Sequence, residues 1–183
     1  MSLNPFEEAV LPWLRGEVLD FGCGMGNLSF AAARQGCTVL ALDASSAAIE
    51  HVRRRAASEH APVSAVQADL RDYAVAGQFD AVVSIGLLAF FDCPTAFRVL
   101  EELKAHVRPG GVVAINVLIE GTSYLDMFDV SGHCLFKPEE MQNRFAGWRI
   151  ERAEFSDFAA PRETLKRFVT IIARRPNEGW PAH

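Results

Sequence analysis

No run of about 18 apolar residues occurs in the chain, so no membrane-spanning helix is expected. Basic residues are in deficit: 18 Lys and Arg face 23 Asp and Glu, for a formal net charge of −5. A protein that grips nucleic acid through its phosphates usually shows the opposite balance. No nucleic-acid partner is therefore expected; the expected partners are small molecules, and the oligomeric state is left open. The four cysteines, Cys23, Cys37, Cys93 and Cys134, form neither a C-x-x-C pair nor a zinc ligand set. They are expected as free thiols, most of them buried, in a cytoplasmic protein. Met1 to Glu8 lacks the basic-then-apolar order of an export signal. Repeats and low-complexity tracts are absent too. What is present is an ordinary globular balance, 183 residues with 50% hydrophobic and 22% charged. That suits one domain, expected over residues 1–175, with a polar tail at 176–183.

Along the chain, short apolar runs alternate with helical patterns. A first helix is expected after Asn4, a good N-cap followed by Pro5. Strands are expected at 17–21, 37–42, 63–67, 79–85 and 112–118, with helices at 27–35, 45–59 and 94–106 between them. Continuous apolar strands in this rhythm imply a parallel sheet covered on both faces. Right-handed crossovers then make it doubly wound, with a ligand crevice at the C-terminal strand ends. After Leu118 the rhythm changes. A polar loop runs to about Phe136 and a helix covers 138–145. Two strands, 148–155 and 165–174, are expected to add an antiparallel hairpin, with its turn at Ala159 to Lys166. The fold class is α/β.

The segment Asp20-Phe21-Gly22-Cys23-Gly24-Met25-Gly26 follows a strand and opens a helix. Glycines there allow a tight turn and let a ligand approach the backbone. A dinucleotide fingerprint would place its third glycine at position 27, where this chain has Asn27. Asp43 ends the second strand, where a carboxylate can accept both hydroxyls of a ribose. The two features point to a nucleoside ligand.

The D-x-G-x-G-x-G pattern resembles the first motif of class I S-adenosylmethionine-dependent methyltransferases. Asp69 after the third strand, Phe79 to Ser84, and the turn Arg108-Pro109-Gly110-Gly111 are similar to that class in the same order. The resemblance implies a Rossmann-like, mostly parallel sheet closed by a C-terminal antiparallel hairpin, seven strands in all. It implies S-adenosylmethionine as cofactor and S-adenosylhomocysteine as product. It assigns cofactor contacts to Asp20, Gly22, Cys23, Gly24 and Gly26 in the loop, to Asp43 and Ala44, to Asp69 and Leu70, and to Ser84. Asp69 would receive the adenine amino group. No metal is implied.

Phe136-Lys137-Pro138-Glu139-Glu140, Phe145-Ala146-Gly147-Trp148 and Arg167 to Arg174 resemble the tellurite-resistance methyltransferase family. That resemblance implies methylation of tellurite or selenite oxyanions. The family uses a His–Arg pair and a further Arg before the last strand; here Ala159 to Lys166 contains no His. Arg162 and then Lys166 are the candidates for holding an oxyanion. An acceptor that carries a proton would need a base, and His133 is the candidate, because imidazole titrates near neutrality. Tyr124 and Phe136 are candidate pocket walls. Two other readings stand beside the metalloid one: an organic thiol, amine or hydroxyl acceptor, and a module that binds the cofactor without turnover.

Overall fold

The computed structural model describes residues 2–129 and 132–177. Seven strands form one sheet: β1 (Glu17–Phe21), β2 (Thr38–Asp43), β3 (Val63–Gln67), β4 (Phe79–Ile85), β5 (Val107–Leu118), β6 (Arg149–Ala160) and β7 (Thr164–Arg174). Their order is β3-β2-β1-β4-β5-β7-β6. The first five are parallel; β7 runs antiparallel to both β5 and β6. The chain winds outward from β1 to β3, then returns to β4 on the other side. That reversal opens the crevice beside the ends of β1 and β4.

Two apolar layers sandwich the sheet, because successive strand residues point to opposite faces. Val18, Ala81, Val83 and Ala114 meet α1 (Pro5–Val10), α2 (Asn27–Arg34) and α3 (Ser46–Glu59) through Val10, Phe30, Ala32 and Val52. Leu19, Val82, Val113 and Ile115 face α4 (Cys93–Ala105) and α5 (Pro138–Asn143). Capping sets where the helices start. Asn4 Oδ1 accepts from the N–H groups of Phe6 and Glu7, and Glu7 returns a bond to Asn4 N, a capping box. Ser45 caps α3 and Asp92 caps α4. No helix among the described residues is long and apolar enough to cross a membrane.

The expected elements are present, with three corrections. Pro109-Gly110-Gly111 is not a free turn but an irregularity inside β5: Phe79 pairs with Val107, whereas Ala81 pairs with Val112. The hairpin turn is shorter than expected. β6 pairs with β7 out to Ala160↔Thr164, so only Pro161 to Glu163 turn. Cross-strand hydrogen bonds carried the strand through residues whose polarity read as loop. The third concerns cysteine. Cys93 and Cys134 are not free thiols but a disulfide, with 4.7 Å between their Cα atoms. They lie 41 residues apart, and only the folding of the 119–136 excursion against α4 brings them together. Cys23 and Cys37 are free and buried. The polar tail expected from residue 176 lies outside the described residues from 178 onward.

Candidate functional site

The glycine loop is held by its neighbours on the sheet. Gly22 N and Cys23 N both donate to Leu42 O, at 2.9 and 2.8 Å. Gly24 N donates to Asp43 Oδ2 at 2.8 Å, while Ser45 N donates to Asp43 Oδ1 at 2.9 Å. One carboxylate therefore ties the loop to the start of α3. Gly24 has φ +53°, and a Cβ there would meet nothing within 4 Å, so its face opens outward. Gly26, at φ +80°, is closed in: a Cβ would lie 2.9 Å from Val52 Cγ2. Asp20 is buried and accepts a bond from Ser29 Oγ at 2.6 Å. Burial pushes its carboxyl up to about 7, against the Ser29 hydrogen bond and with Glu7 and Asp43 adding to the rise. Burial also pushes the Cys23 thiol above its ordinary range, so Cys23 is a packed thiol and not a nucleophile.

The ends of β2 and β3 open on a cavity of about 700 Å³. Asp43, Ala44, Asp69 and Leu70, all expected at the site, line it. Leu87, Phe90 and Phe91 form the facing wall, and Asp129 reaches it from the 119–136 excursion. Acids at one edge and apolar side chains opposite suit a ligand with a sugar and a flat heterocycle. Asp69 is not alone. Its oxygens accept from Arg71 Nη2 at 2.6 Å and Nε at 3.0 Å, and Arg71 holds the carboxyl down at about 2. Ser84 is fully buried within β4 and does not line this cavity; its hydroxyl has no partner among the described residues. A larger hollow, about 950 Å³, lies at the opposite strand ends beside Trp13, Gly16 and Gly110. It carries none of the strand-end acids on which the nucleoside reading rests, so the smaller cavity is the candidate site.

The 119–136 excursion and the β6–β7 turn form the other side. The outgoing limb is stitched to β7: Ser123 N donates to Leu165 O and Leu165 N to Ser123 Oγ, both at 2.9 Å. Each cation in this region has a partner. Arg162, exposed and at φ +61°, pairs with Asp126. Lys166 Nζ sits 5.0 Å from the centre of the Tyr124 ring, and Arg167 Nε is 3.0 Å from Asp157 Oδ1. His133 stacks on Phe128 at 4.4 Å, and Phe128 meets Phe90 at 5.2 Å. Phe136 is a core residue, fully buried against Phe97. Met25, Phe90 and Leu125, on three loops that follow β1, β4 and β5, stay exposed at 43 to 45%. Sequence reading did not single out Arg71, Phe128, Asp129 or the Cys93–Cys134 pair. Only Arg71 carried a local signal, two residues after an acid already singled out. Among the described residues no group of three His, Cys, Asp or Glu side chains is placed to hold a metal ion.

Residues 18–111 match the family described as a methyltransferase domain. The chain is 28% identical over 183 residues to hemagglutinin 1 of Eikenella corrodens, covering 94% of this chain and 59% of that protein. It is 35% identical over 156 residues to malonyl-[acyl-carrier protein] O-methyltransferase of Salmonella typhimurium, covering 79% and 60%. This chain thus spans about three fifths of the length of these two relatives. Among solved structures it is similar to TehB from Haemophilus influenzae, with a TM-score of 0.80 over 93% of this chain and 61% of that one. At 19% identity that likeness is one of fold.

Proposed function

Because the chain belongs to the methyltransferase-domain family, whose members use S-adenosylmethionine, we propose that it transfers a methyl group from that cofactor to a small molecule. One observation carries the reading: the glycine loop and the acids ending β2 and β3 converge beside one cavity at the reversal of the sheet. The residues fit the group. Gly24 leaves open space, Asp43 has oxygen lone pairs left for ribose hydroxyls, and Leu70, Leu87 and Phe91 give a heterocycle apolar walls.

When bound, the cofactor supplies a methyl made electrophilic by its sulfonium. The chain contributes position and environment. Asp43 and the backbone of the glycine loop would fix the nucleoside end, and Asp69 with Arg71 would set the heterocycle's edge. Met25, Phe90 and Leu125 would exclude water from the acceptor. His133 is the base for an acceptor that must lose a proton.

The geometry favours an organic thiol, amine or hydroxyl as acceptor. Arg162 is engaged by Asp126, and Lys166 lies over Tyr124, while the exposed side chains nearby are apolar. An oxyanion would need Arg162 to leave Asp126. The metalloid reading stands second, supported by the likeness of fold to TehB. The reading includes a cytoplasmic location and, with the net charge of −5, no nucleic-acid partner.

S-adenosylhomocysteine release is the test, measured with tellurite, selenite and a panel of small thiols, amines and phenols. Release with an organic acceptor and none with oxyanions is the expected result. Oxyanion-dependent release alone would reverse the order of the two readings. Cofactor binding without any release would favour the non-catalytic module.

A further inference from the structure

We propose that Cys93 and Cys134 form a thiol–disulfide exchange site, taking small dithiols as reductants and glutathione disulfide as oxidant, whose state sets the affinity of the cofactor cavity. The coupling rests on reading that cavity as the cofactor site.

The bond joins two walls of the cavity. Cys93 opens α4, two residues after Phe91, which lines the cavity with Phe90. Cys134 lies on the returning limb of the 119–136 excursion. That excursion brings Asp129 into the cavity lining and sets Phe128 against Phe90 at 5.2 Å. Apart from the disulfide and the packing of its buried side chain in the core, Cys134 is held to the facing wall by one backbone bond, Cys134 N to Ala89 O at 2.9 Å. Between Phe128 and Cys134, the described backbone adds only the long Gly132 N to Asp129 O contact at 3.4 Å. The outgoing limb, in contrast, is stitched to β7 through Thr122, Ser123 and Tyr124. Opening the disulfide would therefore free one side of the excursion and not the other.

The two sulfurs are unequal. Cys134 is 1% exposed, whereas Cys93 is half-buried at the start of a helix, where backbone N–H groups favour a thiolate. A dithiol's thiolate would attack Cys93 Sγ, forming a mixed disulfide and releasing Cys134 as a thiolate that takes up a proton. The reductant's second thiol would then displace Cys93 and close a cyclic disulfide. Two electrons pass to the protein, which ends with two thiols. Oxidation by glutathione disulfide reverses the balance and yields two glutathione thiols. Cys23 and Cys37 are buried, and burial raises both thiols, so neither competes.

The full chain, equilibrated across ratios of dithiothreitol to glutathione disulfide, provides the test. Maleimide labelling after denaturation counts thiols by mass, and calorimetry gives the S-adenosylhomocysteine Kd of the same samples. The expected result is two labelled thiols in the oxidised protein and four in the reduced one, with Kd about tenfold weaker on reduction. Cys93→Ser should hold the weak value at every ratio, and Cys37→Ser should leave the response intact. Four thiols at every ratio would overturn the exchange site. Kd values equal within twofold in the two states of the wild-type chain would overturn the coupling, whatever the variants do. Binding in neither state would overturn the cofactor reading and the coupling with it, while the thiol count would still decide the exchange site.

Discussion

On the β1–β3 side of the crevice the loops are short and the sheet itself holds them. Gly22 and Cys23 share Leu42 O, and Asp43 spans the glycine loop and the start of α3. On the β5–β7 side the chain makes a long excursion whose outgoing limb is bonded to β7 and whose remainder is held by side-chain pairs and one disulfide: Arg162 with Asp126, Lys166 over Tyr124, Phe128 between Phe90 and His133. The first construction places a few atoms with little freedom, which suits a ligand that never changes. The second can be re-lined by substitution without disturbing the sheet, which suits an acceptor that differs between relatives.

If the excursion is part of the core at its base, Phe136 is its anchor. Phe136→Ala should cost about 3–5 kcal/mol of folding stability, the usual range for a large buried ring, read by denaturant unfolding. A cost below about 1 kcal/mol would make the excursion an appendage. The next effect tests the rigid side. Because the Asp20 carboxyl is pushed up to about 7 in the folded protein, the folded state holds its proton more tightly than the unfolded one. That contribution is complete below the ordinary carboxylate range and is lost as pH rises through about 7. The loss is on the order of 4 kcal/mol at most, since each unit is worth about 1.4. Asp20→Asn should flatten this part of the stability–pH curve, and an unchanged slope would refute the assignment.

Asp43→Ala should weaken S-adenosylhomocysteine binding by about 1.5–3 kcal/mol, the worth of a hydrogen bond to a charged group. Calorimetry would show it, and unaltered affinity would remove Asp43 from the site. The smallest effect belongs to the exposed pair. Arg162→Ala should change stability by less than about 1 kcal/mol. It should also leave turnover of an uncharged organic acceptor within threefold. A collapse of turnover confined to anionic acceptors would instead give Arg162 the oxyanion role. Together, the last two substitutions ask whether the cofactor and acceptor sides can be changed independently.

The same division governs what could be read beforehand. The glycine loop, Asp43 and Asp69 were legible, because a turn at positive φ and an acid ending a strand are local requirements written in consecutive residues; the order of the strands in the sheet was not read. Ser84 was legible as part of β4, but alternation along the strand buries it. Arg162 and Lys166 were legible as charges, though not as charges already answered by Asp126 and Tyr124.

By itself, the sequence determined the alternation of strands and helices, the two-faced sheet and the acids at its C-terminal edge, since apolar periodicity and glycine placement act over a few residues. Tertiary structure alone decided that β6 runs on to Ala160 and that Cys93 meets Cys134. The first extends because a neighbouring strand supplies hydrogen bonds. The second arises because the 119–136 excursion folds against α4, with Cys134 N donating to Ala89 O. Each needs a partner whose position exists only once the chain has closed on itself.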